Sequence, residues 1–405
     1  MMSDPDFDVI IIGGGPAGLI AARTIAKSGH NVMVAEEHSE IGVPDHCAGL
    51  LSSSGLKRLG LKPPKDVIQN HVSGARIYSP GGHSILIERG RREAFVLDRR
   101  RFDSWLAHLA QECGATVQTD AKVTALQRVQ GDGWNVVVRG VSSGKNMTSK
   151  IVISAEGSRC QISSSIGFPK VPRKNKYAAY QYEVANTDVD EDVVEMFYGQ
   201  RIAPGFFAWI IPLGDRRARI GLAAKDRTKV RLEAMMKHHP FVKKQLGKVK
   251  IERGFGGVVL VGLPTRRTYT EGALVVGDAA GMTKPTTGGG VILGGIAAQI
   301  AGDVTSKALD IGNVAKSHLR SYEERWRAVL VPEVRAMILV QRVLGSLSDK
   351  GFDSLIKDAK DYDLINTVRN QGDMDMQRKV IVRLLSEPGA FLAGIKAIRY
   401  LNPLI

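Results

Sequence analysis

The first forty positions of the chain alternate between an apolar run, a glycine turn and an amphipathic stretch. Residues 7–15 read FDVIIIGGG, which predicts a buried strand that ends in a glycine turn. PAGLIAARTIAKSG follows as a predicted helix, with Pro16 in its first turn and Gly29 at its end. Residues 31–36, NVMVAE, predict the next strand. The pattern indicates a β-α-β unit of roughly 30 residues, which is typical of dinucleotide-binding folds.

Beyond this unit the periodicity of the chain changes twice. After Arg101 an amphipathic helix is predicted, whose apolar face carries Phe102, Trp105, Leu106, Leu109, Ala110 and Cys113. Between Tyr177 and Ala224, short alternating segments separated by turn residues predict an antiparallel sheet. A helical segment, VRLEAMMKHHPFVKKQL, follows, and ALVVGDAAG from Ala273 predicts another buried strand with a glycine turn. From about Asn313 the chain is predicted to be helical.

The charge is the one unusual feature of the composition. Hydrophobic residues make up 43% and charged residues 24% of the 405 residues, but the formal net charge is +15. Such a field favours an anionic partner, namely nucleic acid, an anionic membrane surface or a phosphorylated substrate. Aromatic residues are only 6%, and no zinc-finger, helix-turn-helix or RNA-binding signature accompanies the charge. We therefore expect no nucleic-acid partner.

The three cysteines, Cys47, Cys113 and Cys160, show neither a CxxC pair nor a metal-ligand spacing. We therefore expect no metal site, no disulfide framework and a cytoplasmic location. The acidic lead MMSDPDFD has the wrong charge for a secretory signal. No uninterrupted apolar run reaches the ~18 residues of a membrane span, so the sequence predicts at most a peripheral membrane contact.

The first glycine turn carries the first candidate binding chemistry. Gly13, Gly15 and Gly18 form a GxGxxG motif between a strand and a helix, and Ala17 lies within it. The first glycine permits the turn, the second lets a pyrophosphate approach the backbone, and the third allows close helix–strand packing. Glu36 ends the next strand, where a carboxylate can bind ribose hydroxyls. This unit suits FAD and NAD(P) alike.

A later segment favours FAD. Residues 274–290, LVVGDAAGMTKPTTGGG, resemble the second FAD motif of the flavoprotein hydroxylases and their reductase relatives. The resemblance implies that Asp278 binds the ribityl chain of the cofactor. It also implies backbone contacts to the N1–C2=O edge of the flavin from Gly288, Gly289, Gly290 and Val291. Amide donors and a helix N-terminus stabilise the negative charge that reduced flavin carries at that edge.

Two further positions complete the predicted cofactor site. LDRRRFD resembles a segment of these families in which an arginine before a helix binds the diphosphate–ribose region of the cofactor. The spacing of that arginine to Phe102 assigns the role to Arg99. Val123 stands where the family places a backbone contact to adenine. VISAEGSRC, residues 152–160, departs from the usual Asp-Gly motif because Glu156 replaces the aspartate, so it receives no cofactor role.

Two segments resemble the geranylgeranyl reductases within this superfamily. GVPDHCAGL, residues 42–50, is similar to their cysteine-containing loop, which implies that Cys47, Ala48 and Gly49 lie by the flavin. PGFFAWIIP, residues 204–212, is similar to their PxxYxWxFP substrate motif. The match assigns five residues to the substrate pocket, namely Pro204, Phe207, Trp209, Ile211 and Pro212.

The substrate motif differs from the family pattern at two positions. Phe207 stands where the motif has Tyr, and Ile211 stands where it has Phe. The pocket therefore loses a phenol but stays apolar and aromatic, which suits an isoprenoid chain. From the residues alone the segment is equally well a core strand, and the resemblance favours the substrate wall.

The resemblance covers most of residues 7–300. It implies an α/β, glutathione-reductase-like FAD-binding Rossmann fold with an inserted antiparallel β-sheet substrate domain and a C-terminal helical region. The predicted segments are FAD-binding 1–70, 95–165 and 265–312, sheet domain 71–94 and 166–264, and helical region 313–405.

The resemblance implies FAD-dependent reduction of isolated C=C bonds in geranylgeranyl chains of archaeal-type ether lipids, with hydride transfer from flavin N5. Cys47 is the candidate catalytic residue, which either relays a proton or shapes the pocket. Because the chain has one complete dinucleotide fingerprint, we expect an external reductant, either NADPH, a ferredoxin-like carrier or another donor. The positive charge fits an acidic carrier as well as an anionic prenyl-lipid head group.

Two other function classes remain open. Residues 207–212 are also similar to the WxWxIP element of flavin halogenases, so a flavin hydroxylase or halogenase is the main alternative. An electron-transfer dehydrogenase that serves a partner protein or quinone is the third hypothesis. The tail FLAGIKAIRYLNPLI, from Phe391, predicts a basic amphipathic helix that either covers the protein's own core or lies in an anionic interface.

Overall fold

The computed structural model describes residues 4–129, 133–140, 145–390 and 396. The described strands are β1 (Phe7–Ile12), β2 (Val32–Ala35), β3 (Leu50–Ser52), β4 (Ile68–Val72), β5 (Gly74–Tyr78), β6 (Ser84–Glu88), β7 (Ala94–Leu97), β8 (Thr116–Gln118), β9 (Ala121–Arg128), β10 (Trp134–Gly140), β11 (Lys145–Ser154), β12 (Lys176–Ala185), β13 (Val193–Phe197), β14 (Ala208–Gly214), β15 (Arg217–Ala224), β16 (Lys250–Leu260), β17 (Tyr269–Thr270) and β18 (Ala273–Val275).

The described α-helices are α1 (Pro16–Lys27), α2 (Ser53–Arg58), α3 (Arg99–Glu112), α4 (Gln161–Ser165), α5 (Thr228–His238), α6 (Pro240–Leu246), α7 (Val291–Asp310), α8 (Lys316–Ser346), α9 (Asp349–Asp361), α10 (Leu364–Gln371) and α11 (Arg378–Leu385). Neither α7, with 20 residues, nor α8, with 31, nor any other described helix is both long and apolar enough to cross a bilayer.

The first of two compact units combines Met1–Asp45, Arg99–Asn175 and Gly262–Pro332. Its sheet has the order β17-β18-β11-β1-β2-β8, and β10 and β9 extend it from β11. The neighbours from β18 to β8 are parallel, as a dinucleotide-binding fold requires. Strands β1 and β2 are buried on both faces, which explains why they read as unbroken apolar runs rather than alternating ones.

The helices of this unit pack closely on one another and on the sheet. At Gly302 of α7, a Cβ atom would lie 2.6 Å from the Cβ of Thr24 in α1, so the backbone of α7 packs directly on the Thr24 side chain. Tyr322 and Trp326 of α8 are fully buried. Tyr322 donates to the carbonyl of Val275 at 2.7 Å and Trp326 to Thr268 Oγ1 at 2.9 Å. Residues 313–332 therefore belong to this unit, whereas the sequence analysis placed them in a separate helical region.

The second unit combines His46–Asp98, Lys176–Val261 and Glu333–Ile405. Its seven-stranded sheet has the order β16-β12-β15-β14-β13-β5-β6, and its three-stranded sheet has the order β3-β7-β4. The seven-stranded sheet is antiparallel, as predicted, except that β13 and β5 are parallel. Because β3 and β4 both pair with β7, residues 46–70 group with this unit, whereas the sequence analysis placed them in the FAD-binding segments.

Two prolines interrupt the helical pattern. The helical segment predicted after β15 is two helices, because Pro240 has no N–H and starts α6 after α5 ends at His238. Pro332 lies inside α8, where the boundary between the two units falls. The tail predicted from Phe391 lies outside the described residues apart from Lys396, whose ammonium group pairs with Asp358 at 2.8 Å.

Candidate functional site

In the first unit, the glycine turn between β1 and α1 holds four of the predicted cofactor residues. Gly13 has φ +106°, and a Cβ there would lie 2.5 Å from the carbonyl oxygen of Ala155. A Cβ at Gly18 would lie 2.1 Å from the carbonyl oxygen of Gly13. In contrast, a Cβ at Gly15 would meet no protein atom within 4 Å. Ala17 packs against Gly277, so Gly13, Ala17 and Gly18 serve packing while Gly15 borders open space.

Glu36 directly follows β2 and joins that strand end to the glycine turn. Its Oε2 accepts a hydrogen bond from the Gly14 N–H at 2.7 Å, and its Oε1 accepts one from the His38 N–H at 3.0 Å. The sequence analysis did not identify His38. Val123, the predicted adenine contact, lies in β9, whose first residue donates from its N–H to the carbonyl of Glu36 at 2.7 Å. The predicted adenosine-side residues therefore converge at the end of β2.

Arg99 is the first residue of α3, as predicted, but its guanidinium already has a carboxylate partner. It is buried and makes a bidentate pair with Asp103, one helical turn later, at 2.9–3.1 Å. Burial raises the pKa of Asp103, and the charge of Arg99 opposes that shift. The sequence analysis missed Asp103, although an acid four residues after an arginine on one helix is a readable signal.

Asp278 follows β18 in a short turn and lies beside the start of α7. A Cβ at Gly290, the N-cap residue of α7, would lie 2.5 Å from its Oδ1. Burial raises the pKa of Asp278, and the positive charge of Arg99 opposes this shift. A carboxylate at a helix N-terminus is stabilised by the helix dipole, so Asp278 and the backbone at the start of α7, which begins at Val291, form one polar corner.

The predicted flavin loop, Gly288 to Gly290, is closed by Lys284. The N–H of Gly288 donates to the carbonyl of Lys284 at 2.7 Å, and the N–H of Lys284 donates to the carbonyl of Gly289 at 3.0 Å. A Cβ at Gly289 would lie 2.7 Å from Cε of Lys284, whose side chain is buried. The Gly288 amide therefore has a protein partner already, and Lys284 is a member of this loop that the sequence analysis did not identify.

Glu156, where the family has aspartate, serves the fold. Its carboxylate accepts hydrogen bonds from the backbone N–H groups of Gln161, Ile162 and Ser163 at 2.6–2.8 Å. These are N–H groups that the first turn of α4 leaves without a partner inside the helix. The departure from the family motif thus has a structural role as a helix cap.

The residues of the first unit fit FAD. The N-caps of α1 and α7 are glycines without side-chain capping bonds, so neither N-cap residue covers its helix N-terminus with a side chain. Folds of this type bind a diphosphate at such a helix N-terminus and a ribose at such a strand end. The open space at Gly15, the buried carboxylate of Asp278 and the position of Glu36 after β2 are compatible with these contacts. Among the described residues, no group of His, Cys, Asp and Glu side chains is placed to hold a metal ion.

In the second unit, the predicted substrate segment forms β14 and the turn before it. Phe207, Trp209 and Ile211 alternate with Ala208 and Ile210, and the two sets enter two different apolar cores. The core on the Phe207 side contains six packed aromatic rings, which we call the aromatic cluster: Tyr177, Tyr198, Phe206, Phe207, Trp209 and Phe352. Three of these six residues come from outside the motif.

The rings of the aromatic cluster form a continuous chain. Phe206 and Phe207 stack with centroids 4.5 Å apart, and Trp209 meets Phe207 edge to face at 5.9 Å. The Trp209 indole N–H donates to Gln181 Oε1 at 3.3 Å, which fixes the ring. Pro204 is half-buried before β14, whereas Pro212 is buried within it and accepts a hydrogen bond from Asn70 at 3.2 Å.

The cysteine-containing loop of the second unit rests on a buried arginine. Cys47 is half-buried, and its sulfur accepts a hydrogen bond from the Gly49 N–H at 3.4 Å. Arg219 of β15 donates from Nη1 to the carbonyl of Ala48 at 3.0 Å. Gly49 has φ +77°, and a Cβ there would lie 2.3 Å from Arg219 Nη1, so only glycine fits. Ala48 also packs against the core that contains the aromatic cluster.

Arg219 itself is held by Glu183, its register partner in β12. Arg219 is 1% exposed and Glu183 is 5% exposed. The Arg219 Nε donates to Glu183 Oε1 at 2.8 Å, and Arg253 of β16 donates to both oxygens of the same carboxylate at 2.7 Å. The sequence analysis missed this network. The sequence feature that could have revealed this network is an arginine inside an otherwise apolar strand, ARIGLAA.

Comparisons with known proteins agree with this arrangement. The family model described as FAD binding domain matches residues 6–330. The digeranylgeranylglycerophospholipid reductase of Methanocaldococcus jannaschii is 32% identical over 357 residues, which are 86% of this chain and 89% of that protein. A solved structure of a geranylgeranyl bacteriochlorophyll reductase-like protein from Thermoplasma acidophilum is 27% identical, with a TM-score of 0.85, and covers 96% of this chain and 99% of its own.

The fold extends to proteins with other names. A flavin-dependent brominase has a TM-score of 0.73 and 16% identity, with coverage of 97% of this chain and 98% of its own. That likeness shows the fold alone, whereas the sequence match to the reductase is far stronger. This chain belongs to the digeranylgeranylglycerophospholipid reductase family, whose members are FAD-dependent oxidoreductases.

Proposed function

We propose that this chain uses FAD to reduce isolated C=C bonds in the geranylgeranyl chains of archaeal-type ether lipids. The observation that carries the proposal is the aromatic cluster, which adds a buried aromatic surface to a chain that also has the FAD-binding residues. An isoprenoid chain is almost entirely hydrocarbon, so its binding free energy comes mainly from burial of apolar surface, at ~25 cal/mol per Å². The name of the M. jannaschii relative supports the same substrate class.

Reduced FAD, when bound, supplies a hydride to one alkene carbon. An isolated alkene has no carbonyl to polarise it, so positive charge develops on the more substituted carbon. The rings of Phe207 and Trp209 can stabilise that charge by cation–π interaction, worth ~0.5–2 kcal/mol each. Both rings are buried, so they also exclude water from the reacting chain.

Cys47 is our candidate for the proton that the second alkene carbon requires. Its thiol is half-buried, and its neighbour Ala48 packs on the core that contains the aromatic cluster. A thiol at this place either relays the proton or shapes the pocket. Replacement of Cys47 by Ala separates these roles, because loss of a relay lowers the reduction rate, whereas a changed pocket alters which double bonds are reduced.

The reductant in this proposal is external. The first unit has a single glycine turn of the dinucleotide type, and FAD fills it. The formal charge of +15 supports docking of an acidic, ferredoxin-like carrier, and NADPH is the alternative donor. Reduction of the bound flavin by each donor, followed at ~450 nm, distinguishes them.

We also propose that an anionic membrane surface presents the lipid, and that α11 of the second unit contacts it. Val382 and Leu385 on this helix are 55% and 60% exposed, which is unusual for large apolar side chains. Arg378, Lys379 and Arg383 are exposed on the same helix. Apolar side chains beside cations are the features with which a helix binds an anionic interface.

An anaerobic assay tests the proposed activity. Protein loaded with FAD and reduced by dithionite is mixed with di-O-geranylgeranylglyceryl phosphate, and the lipid is analysed by mass spectrometry. We expect two hydrogen atoms to be added per reduced double bond, with matched FAD and dithionite lacking protein as the control. Product that forms only with oxygen and gains oxygen or halogen would contradict the proposal and favour a hydroxylase or halogenase.

A further inference from the structure

Tyr198 carries a hydroxyl group that has no hydrogen-bond partner among the described residues. The residue directly follows β13 and is 9% exposed. Its ring centroid lies 5.4 Å from that of Phe207 and 5.2 Å from that of Phe352. Within the described part of the chain, no hydrogen bond reaches its hydroxyl. The aromatic cluster therefore contains one phenol whose hydroxyl no described residue engages.

Tyr177 provides the contrast within the same cluster. It is 8% exposed, and its ring lies 5.9 Å from that of Phe206. Its hydroxyl, unlike that of Tyr198, is hydrogen-bonded to the side chain of Gln341. Gln341 in turn donates to the carbonyl of Gly205 at 3.0 Å, so this phenol belongs to a protein network.

The Tyr198 phenol lies among aromatic rings, and the residue is only 9% exposed. A ligand that covers its hydroxyl without offering an acceptor removes its water contacts and leaves it without a hydrogen bond. Burial raises the pKa of the Tyr198 phenol well above its ordinary value, so the group stays protonated and acts as a donor. Among the described residues, the fully buried side-chain oxygens without a hydrogen bond, such as Ser53 Oγ and Thr305 Oγ1, do not include the Tyr198 hydroxyl, so that hydroxyl keeps some accessible surface. A bound molecule can therefore reach it.

We infer that Tyr198 donates a hydrogen bond to an oxygen atom of the lipid, and so selects prenyl chains that are attached through oxygen. The inference rests on the proposed function and assigns one residue, Tyr198, to recognition of the oxygen through which the prenyl chain is attached. A pure isoprenoid hydrocarbon offers no comparable acceptor, so the phenol would stay unsatisfied in its complex. Phe207 lacks the phenol of the family motif, and Tyr198, packed against Phe207, supplies a phenol from another strand end.

Two probes with the same C20 tetraene chain test this inference. One is methyl geranylgeranyl ether, and the other has a methylene group in place of its oxygen. Dissociation constants are measured by tryptophan fluorescence on the FAD-loaded, oxidised protein, without turnover. The variants are Tyr198→Phe and the matched control Tyr177→Phe, and the FAD content and melting temperature of each show that it is folded.

We expect Tyr198→Phe to weaken binding of the ether by roughly threefold to tenfold, as the loss of one neutral hydrogen bond predicts. Binding of the hydrocarbon should be unchanged or tighter, because the variant no longer places an unsatisfied phenol against it. Tyr177→Phe should leave the ratio of the two affinities as it is in the wild type. An equal ratio in wild type and Tyr198→Phe overturns the inference and indicates that water satisfies the phenol.

The same probes separate this inference from the proposed function. If the reduced wild type adds hydrogen to both probes but Tyr198→Phe does not change their affinity ratio, the inference fails and the function stands. If Tyr198→Phe abolishes the preference for the ether but neither probe nor the glyceryl phosphate lipid is ever reduced, the inference stands and the function fails.

Discussion

The two units of this protein present their candidate sites in different chemical forms. In the first unit the predicted ligand contacts are mainly backbone, because Gly13, Gly15 and Gly18 remove side chains where the chain turns. In the second unit the candidate contacts are aromatic side chains, and a buried ion network supports the neighbouring loop. A polar, charged cofactor is suited to backbone donors, whereas a hydrocarbon chain requires apolar side chains.

This difference changes what a mutation does in each unit. A glycine replaced in the first unit either collides with the protein or fills space that a ligand needs. A charged residue replaced in the second unit leaves a buried partner uncompensated. The following predictions separate these effects, starting with the largest.

Replacement of Glu183 by Gln should destabilise the second unit by about 3–5 kcal/mol, because Arg219 would be left as a buried charge without a carboxylate. Denaturant unfolding measures the change. Glu252→Gln is the matched control, because Glu252 pairs with Arg217 nearer the surface at 2.7 Å and should cost less than about 1 kcal/mol. If the free energy of unfolding falls by the same small amount in both variants, the buried ion network does not stabilise the protein.

The same carboxylate should give the protein a specific acid sensitivity. Burial alone would raise the pKa of Glu183, but hydrogen bonds from Arg253 and Arg219 lower it to about 2, from an ordinary value of 4.5. Between pH 4.5 and 2 the unfolded chain therefore binds more protons at this group, and stability falls as the pH falls. We expect the stability difference between wild type and Glu183→Gln to shrink across this window. A constant difference would contradict the lowered pKa.

Two glycine variants should separate ligand space from protein packing in the first unit. Gly15→Ala places a methyl group in open space at φ −77°, so the apoprotein should keep its stability. FAD should bind roughly tenfold to hundredfold more weakly, because the methyl group overpacks the cofactor site at a cost of about 1–3 kcal/mol. Gly18→Ala collides with the backbone of Gly13 and should destabilise the apoprotein itself. FAD titration and thermal unfolding measure the two effects. An unchanged FAD affinity in Gly15→Ala would remove Gly15 from the cofactor site.

The same contrast explains what the sequence could predict. The glycine turn and Glu36 were identified because the strand–turn–helix pattern places particular residues at short spacing, whereas Asp278 was assigned from the resemblance to the second FAD motif. The structure brings each to a strand end or helix start. The strand that carries Phe207, Trp209 and Ile211 was also predicted, with its alternation. Their roles as contacts stay predictions.

What the sequence did not reveal depends on pairing between distant segments. Glu183 faces Arg219 only through the register of β12 and β15, and Tyr198 reaches Phe207 only because β13 pairs with β14. Residues 46–70, which the sequence analysis placed with the FAD-binding segments, group with the second unit for the same reason, since β3 and β4 are short and join β7. Local patterns contain no signal for such pairings.

The smallest expected effect concerns the surface of the second unit. If α11 meets an anionic membrane, replacement of Val382 and Leu385 by Ser should weaken binding to anionic vesicles about threefold to tenfold, because two half-exposed apolar side chains lose their burial in lipid. Ile311→Ser is the matched control, because Ile311 is 67% exposed just after α7 in the first unit. Vesicle sedimentation at two salt concentrations measures the affinity, and neutral vesicles should bind weakly throughout. Equal losses of vesicle affinity in both variants would mean that exposed apolar area on either unit, and not α11 in particular, determines membrane binding. A loss confined to α11 would assign lipid-surface binding to the unit that holds the aromatic cluster.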